Sequence, residues 1–100
     1  MEIDKFKRLG LEELRSQRAG YLPLIEYRME DPEHVRVTRL GYFTRLVEDL
    51  PPQFRGSETP EPPFAEIADA LDKNGVPIDG RQIRLGDILD IQLLERLERN

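Results

Sequence analysis

The sequence predicts a small, mainly α-helical single domain, a bundle of four to five helices with one possible short β-hairpin near residues 76–85. Three observations support this. A length of 100 residues suits one domain. Apolar residues recur at helical spacings in several segments. Proline and glycine stand where those segments begin and end, as they do at helix termini.

The N-terminal segment predicts a short turn or helix followed by a second helix. Ile3, Phe6 and Leu9 have helical spacing, and a helix is expected from about Leu11 to Ala19, with Gly20 at its C-terminal end. Residues 21–29 are rich in apolar side chains and begin another short helix at Pro23, or alternatively a strand.

The next helix is predicted to begin at Asp31-Pro32-Glu33, which combines an N-cap residue, a first-turn proline and an acid. It is expected to end near Leu50, before two prolines. Residues 34–37 alternate between polar and apolar, so a strand opening is the alternative.

Residues 51–62 are rich in proline and read as an exposed loop with Phe54 and Arg55 at its tip. A helix is then expected to start at Pro62 or Pro63, because its apolar residues fall at i, i+3, i+4 and i+7. On that helix Glu66, Asp69 and Asp72 would share the opposite, acidic face.

The glycine-rich stretch 73–87 is interpreted as a connector. Gly75 would end a helix, Asp79-Gly80 would form a hairpin turn, and Asp87 would cap a terminal helix over residues 88–99. This hairpin pattern resembles that of the S4-type RNA-binding module. Its RNA function is not expected here, because the helix that such modules apply to RNA would be acidic.

The residue inventory predicts no catalytic residues, no cofactor and no metal. There is no Cys, and the sequence contains no nucleophile motif for which the single histidine, His34, could act as the base. A calcium loop that starts at Asp72 or at Ala70 lacks the required ligands, and Gly75, Gly80 and Gly86 do not have the spacing of a phosphate-binding glycine motif. We therefore expect that the protein is not an enzyme.

A net charge of −5 makes direct nucleic-acid binding unlikely as a general function and favours a protein partner. The leading hypothesis is a non-catalytic interaction protein, a small acidic inhibitor that covers the nucleic-acid-handling surface of a larger complex. In size, charge and missing chemistry it is similar to anti-CRISPR proteins of phages. The expected contacts are the acidic face at Glu66, Asp69 and Asp72 and a second surface formed by Arg36, Arg39, Tyr42, Phe54 and Arg55.

Two alternatives remain open. A nucleic-acid-binding regulator would use the Arg/Tyr patch at 36–45, where Arg36, Arg39 and Arg45 surround Tyr42. A homo-oligomeric accessory subunit would pair through the terminal helix at 88–99, whose apolar coverage is wide. No apolar run is long enough to span a membrane, so a soluble, cytoplasmic protein without membrane contact is expected.

Overall fold

A computed structural model describes residues 1–54, 56 and 60–94, and within them the chain forms five antiparallel strands and two short helices. In chain order the elements are α1 (Ile3–Arg8), α2 (Leu11–Gln17), β1 (Leu24–Glu30), β2 (Arg36–Val47), β3 (Phe64–Leu71), β4 (Pro77–Arg84) and β5 (Ile88–Leu93).

The strands lie in the order β4-β3-β2-β1-β5. Two hairpins, β1–β2 and β3–β4, are joined by antiparallel pairing of β2 with β3. β5 crosses to the other side of the sheet and pairs antiparallel with β1. The first hairpin therefore occupies the middle of the sheet.

The hydrophobic core lies between the two helices and one face of the sheet. Phe6 of α1 packs against Phe43 of β2, with ring centroids 5.7 Å apart. Leu11 of α2 is buried in the same cluster. The sheet residues of this cluster include Ile25, Tyr27, Phe43, Ala65, Ile67, Ile83 and Ile91.

The predicted helical bundle is wrong, and so is the description of the protein as helical, because most of the described chain is β-sheet. The helix predicted from Leu11 is present and ends at Gln17, and Gly20 has the expected positive φ of 79°. For residues 21–29 and 34–37 the strand alternative is correct in type but not in its bounds, because β1 begins at Leu24 and β2 at Arg36.

The helix predicted at residues 31–50 is strand β2, preceded by a tight turn. The Asp31 side chain accepts hydrogen bonds from the backbone N–H groups of Glu33 and Val35, at 2.9 Å each. An aspartate that accepts the N–H two residues on can cap a helix or anchor a turn, and local sequence does not distinguish the two. Here the turn is favoured because β-branched Val37, Thr38 and Thr44 suit a strand.

The helix predicted to begin at Pro62 or Pro63 and to end at Gly75 is instead strand β3 (Phe64–Leu71), which lies inside the sheet. Phe64, Ala65, Ile67 and Ala68 are all buried, on both faces of the strand. A strand buried on both faces loses the alternating pattern, so its apolar residues can match a helical spacing by coincidence.

The hairpin and the terminal helix expected after Gly75 are also corrected. Asp79-Gly80 is not a turn but lies within β4, and the hairpin turn is at residues 72–76. Residues 88–93 of the predicted helix are strand β5, and residues 95–99 of that helix lie outside the described residues.

Both hairpins use the same turn. The N–H of Asp31 donates to the carbonyl of Val35, and the N–H of Asp72 donates to that of Val76. In each turn the aspartate side chain also accepts two backbone N–H groups. The fourth position has positive φ in both, which is His34 at 63° and Gly75 at 80°. This is a three-residue loop closed by a left-handed residue.

Within the described ranges, the helices are too short and too polar for any of them to cross a lipid bilayer.

Candidate functional site

The two α-helices cover one face of the sheet. Within the described residues no helix or strand lies over the middle of the other face, and the β2–β3 connection contacts one end of it through Phe54. Side chains of a strand alternate between faces, so the strand register assigns each residue to a side. We call the side opposite the helices the open face. It is formed by Leu24, Glu26, Arg28, Arg36, Thr38, Leu40, Tyr42, Arg45, Glu66, Ala68, Ala70, Ile78, Gly80, Gln82, Asp90, Gln92 and Leu94.

An uncharged row crosses the open face from one edge of the sheet to the other. Tyr42 lies between Leu24 and Ala68, and Ala68 pairs with Gly80. On the far side, the N–H of Leu94 donates to the carbonyl of Leu24 at 2.9 Å. These residues form a band without charge across the face.

Large apolar side chains stand exposed along this row. Leu40 is 56% exposed, Ile78 43% and Leu94 45%. Leu40 is two residues from Tyr42 and Ile78 two residues from Gly80, so both lie on the open face beside the row. Contiguous exposed apolar surface with a polar rim is typical of interaction sites.

A depression of about 440 Å³ lies on the β3–β4 side of the open face. Ala68 and Gly80 belong to its lining, together with the polar side chains of Thr44, Glu66 and Gln82. The depression exists because Gly80 has no side chain, and a Cβ added there would have no neighbour within 4 Å. A partner side chain could therefore enter without displacing any part of the sheet.

A second depression, of about 370 Å³, adjoins the first at Gln82. It is lined by Arg45, Leu50, Phe54, Phe64 and Gln82. Phe54 is 66% exposed, whereas Phe64 beneath is buried. The β2–β3 connection thus adds an aromatic rim to one end of the open face.

The charges of the open face are largely neutralised by one another. Arg45 donates from Nε and Nη2 to the two carboxylate oxygens of Glu66, at 2.8 and 2.9 Å, and Gln82 donates to Glu66 at 3.1 Å. The hydrogen bonds from Arg45 hold the pKa of Glu66 below its ordinary value. Arg28 pairs with Asp90 at 3.3 Å. The other two charged side chains of the open face, Glu26 and Arg36, have opposite signs, so the net charge of the face is small.

The three predicted acidic contact residues do not share a surface. Glu66 lies on the open face, bound by Arg45. Asp69 is an odd number of residues away, so it lies on the opposite face, where Arg81 Nε donates to both its oxygens at 2.9 and 3.0 Å. Asp72 anchors the β3–β4 turn. Their predicted grouping assumed a helix, and on a strand the same spacing separates them.

The predicted Arg/Tyr surface is also divided. Arg36 and Tyr42 lie on the open face, where Arg36 is exposed and Tyr42 half-buried. Arg39 lies on the helix side, opposite Tyr27 in the register. Phe54 lies at the rim of the second depression, and Arg55 is outside the described residues.

Two buried polar groups on the helix side have no evident structural role. The hydroxyl of Tyr27 and the Nε of Arg39 are both buried and have no hydrogen-bond partner among the described residues. Burial raises the pKa of Tyr27. Because both atoms are sealed from solvent, they offer no contact to a ligand in this structure.

Sequence reasoning missed the apolar residues of the open face, chiefly Leu40, Ala68, Ile78 and Gly80. The signal that could have found them is the alternation Thr38-Leu40-Tyr42 on one side and Val37-Arg39-Gly41 on the other. The helical interpretation of that segment concealed it. Within the described residues, no group of three His, Asp or Glu side chains is arranged to hold a metal ion.

Comparison with protein-family models, curated proteins and solved structures finds no match to this chain, so its function is argued from geometry.

Proposed function

We propose that this protein is a non-catalytic interaction module that binds a partner protein on the open face. The observation that carries the proposal is the uncharged row from Gly80 to Leu94, with Leu40 and Ile78 exposed beside it. An uncovered sheet face is ordinary in antiparallel proteins, but such faces usually present polar side chains to water. Large apolar residues there favour a binding role.

The partner is a protein surface that carries apolar side chains and few charges. Arg45 pairs with Glu66 and Arg28 pairs with Asp90, and the other two charges of the face have opposite signs. The face therefore has little net charge to attract a strongly charged groove. The depression over Ala68 and Gly80 has room for a side chain of the partner, and its other lining residues include the hydrogen-bonding side chains of Thr44, Glu66, Arg81 and Gln82. Buried anchors with polar rims are the usual anatomy of protein interfaces.

The acidic-inhibitor version and the nucleic-acid-binding alternative both stay predictions. The first depended on a shared surface of Glu66, Asp69 and Asp72, and the second on a joint patch of Arg36, Arg39 and Arg45. Strand geometry separates the members of both groups. The open face supports docking on an apolar protein surface better than it supports either of these hypotheses.

Substituting Gly80→Val tests the proposal, because it fills the depression without straining the fold. The added Cβ has no neighbour within 4 Å, and valine suits a strand better than glycine does. We expect the variant to fold as the wild type does and to lose its partner. A second variant, Leu40→Ser, removes the most exposed apolar side chain of the face.

Val35→Ser is the matched control, since Val35 is 51% exposed but lies in the β1–β2 turn. Affinity capture from cells that naturally express the chain should recover a stoichiometric partner with the wild type and with Val35→Ser. Gly80→Val and Leu40→Ser should not recover it. Retention of the partner by both open-face variants, or no stoichiometric partner for the wild type, would contradict the proposal.

A further inference from the structure

The two edges of the sheet differ in how well they are protected against pairing with another strand. Among the described strands β4 and β5 are the outermost. β4 begins at Pro77 and has a left-handed residue at Asp79 (φ 54°). Proline and backbone irregularity are among the features by which natural edge strands avoid association.

β5 lacks most of this protection. Ile88–Leu93 contains no proline, lysine or arginine, and its single charge, Asp90, is paired with Arg28 on the neighbouring strand. A bulge at Leu89 interrupts its register with β1 near the start, but residues 90–93 pair regularly. The exposed Leu94 follows directly. This edge is therefore regular over its second half, and its one charge there is paired.

The hydrogen bonds of β5 show which backbone groups point outward. Leu94 donates its N–H to the carbonyl of Leu24, so those two residues form a hydrogen-bonded pair. In an antiparallel ladder such pairs alternate, so Gln92 and Asp90 also direct their backbone groups toward β1. The N–H and C=O groups of Ile91 and Leu93 consequently point away from the sheet.

We propose that a second copy of this chain pairs with this edge, β5 against β5, about a twofold axis at Gln92. Ile91 of one copy exchanges both of its backbone hydrogen bonds with Leu93 of the other, and the twofold axis repeats this exchange. The two sheets become one continuous sheet, and both open faces lie on the same side of it.

The side chains favour a second copy in this register. Gln92 lies opposite Gln92 of the other copy, and Asp90 lies opposite Leu94, so no like charges face each other. Ile91 lies opposite Leu93 on the helix side, which extends the apolar surface of both cores. The β5 edge is therefore complementary to a second copy of itself. A strand of a different protein would need a sequence that happens to provide the same pairs.

Charge substitutions at Gln92 test the pairing, because this exposed side chain lies on the axis. Gln92→Lys places two ammonium groups opposite each other, and Gln92→Glu places two carboxylates there. Each variant alone is expected to weaken dimerisation by about fivefold, and an equimolar mixture of the two should restore it, since opposite charges then meet. Sedimentation over a concentration series measures both effects.

Gln82→Lys, on the protected edge β4, is the matched control and should dimerise as the wild type does. Gly80→Val should also dimerise normally, so loss of partner binding and loss of dimerisation are separable. Hydrogen exchange gives an atomic readout: the amides of Ile91 and Leu93 should become protected as concentration rises. The amide of Gln92, already bonded to β1, should be protected throughout.

A wild-type chain that remains monomeric at millimolar concentration would overturn the proposal. So would a dimer that Gln92→Lys and Gln92→Glu leave unchanged, or amides of Ile91 and Leu93 that exchange rapidly in the dimer. The proposal would also be overturned if the chain stayed monomeric and a strand of a different protein bound to β5.

Discussion

His34 occupies a turn position that glycine fills in the equivalent turn of the second hairpin. Its φ of 63° is in the left-handed region, which costs a non-glycine residue about 1 kcal/mol. The side chain is largely exposed, and its nearest acidic neighbour, Glu30, is 3.8 Å away, so little is lost with it. His34→Gly is therefore expected to raise the free energy of unfolding by about 1 kcal/mol.

The reciprocal change provides the control. Gly75→Ala meets no atom within 4 Å, so its effect reports backbone strain alone, and it should lower the free energy of unfolding by about 1 kcal/mol. Urea denaturation of both variants measures the pair. Destabilisation by His34→Gly would show that His34 makes a contact that stabilises its turn.

Glu66 makes stability depend on pH in the acidic range. Hydrogen bonds from Arg45 lower its pKa in the folded state relative to the unfolded value near 4.5. A depressed folded pKa contributes stability that is present above pH 4.5 and is lost as the pH falls through the folded pKa. Glu66→Gln should be less stable than the wild type at neutral pH, and the difference should shrink as the solution is acidified below 4.5. Urea denaturation across this range measures it, and a constant difference would contradict the assignment.

At the scale of single elements, Gly41 allows β2 and β3 to pack closely. A Cβ there would lie 2.5 Å from Cγ2 of Ile67 and 3.0 Å from the carbonyl oxygen of Ala68. Gly41→Ala should lower the free energy of unfolding by about 2 kcal/mol or more, because buried Ile67 and backbone must move. Gly80→Ala, in the same sheet, should be nearly neutral. Thermal unfolding compares the two, and equal effects would refute the packing argument.

The elements that could be predicted are those whose signals are local. Helix α2 is marked by Leu11 and Leu14 before Gly20. β2 and β3 were mistaken for helices because Asp31-Pro32-Glu33 suits a helix start as well as a turn. Ala65 and Ala68 also favour a helix until a strand on either side buries them.

The candidate site was harder to predict because a sheet face combines residues from distant segments. The sequence predicts Tyr42 and Glu66 as contact residues, but Leu24 and Gly80, which lie beside them on the open face, belong to other strands. The sequence predicts a turn at Asp79-Gly80, but Gly80 lies within β4 and lines the depression. Only the strand order places these residues together.

At the scale of the whole molecule, the salt dependence of binding distinguishes docking on the apolar row from docking of an acidic inhibitor in a basic groove. If the partner docks on the apolar row, the dissociation constant should change by less than about threefold between low and high salt, because little unpaired charge is screened. An acidic inhibitor in a basic groove would instead weaken by about tenfold or more. Titration calorimetry with the captured partner at two salt concentrations measures this, and a strong salt dependence would favour the acidic-inhibitor prediction.

The pairing of β5 with β1 also sets an order of events during folding. The hairpins close over short turns, whereas Ile25 meets Leu93 only after most of the chain has been made. Distant pairings carry the larger loop-closure entropy, so β5 should join last and leave first. In native-state hydrogen exchange on dilute protein, the amide of Gln92 should open before that of Phe43, which donates to Pro23 beside the central hairpin. Equal opening of the two would indicate that the sheet forms in one step.

If β5 joins last, the edge of β1 stays unpaired on the growing chain until β5 has been made. During that interval a strand of another chain could pair with β1 in place of β5.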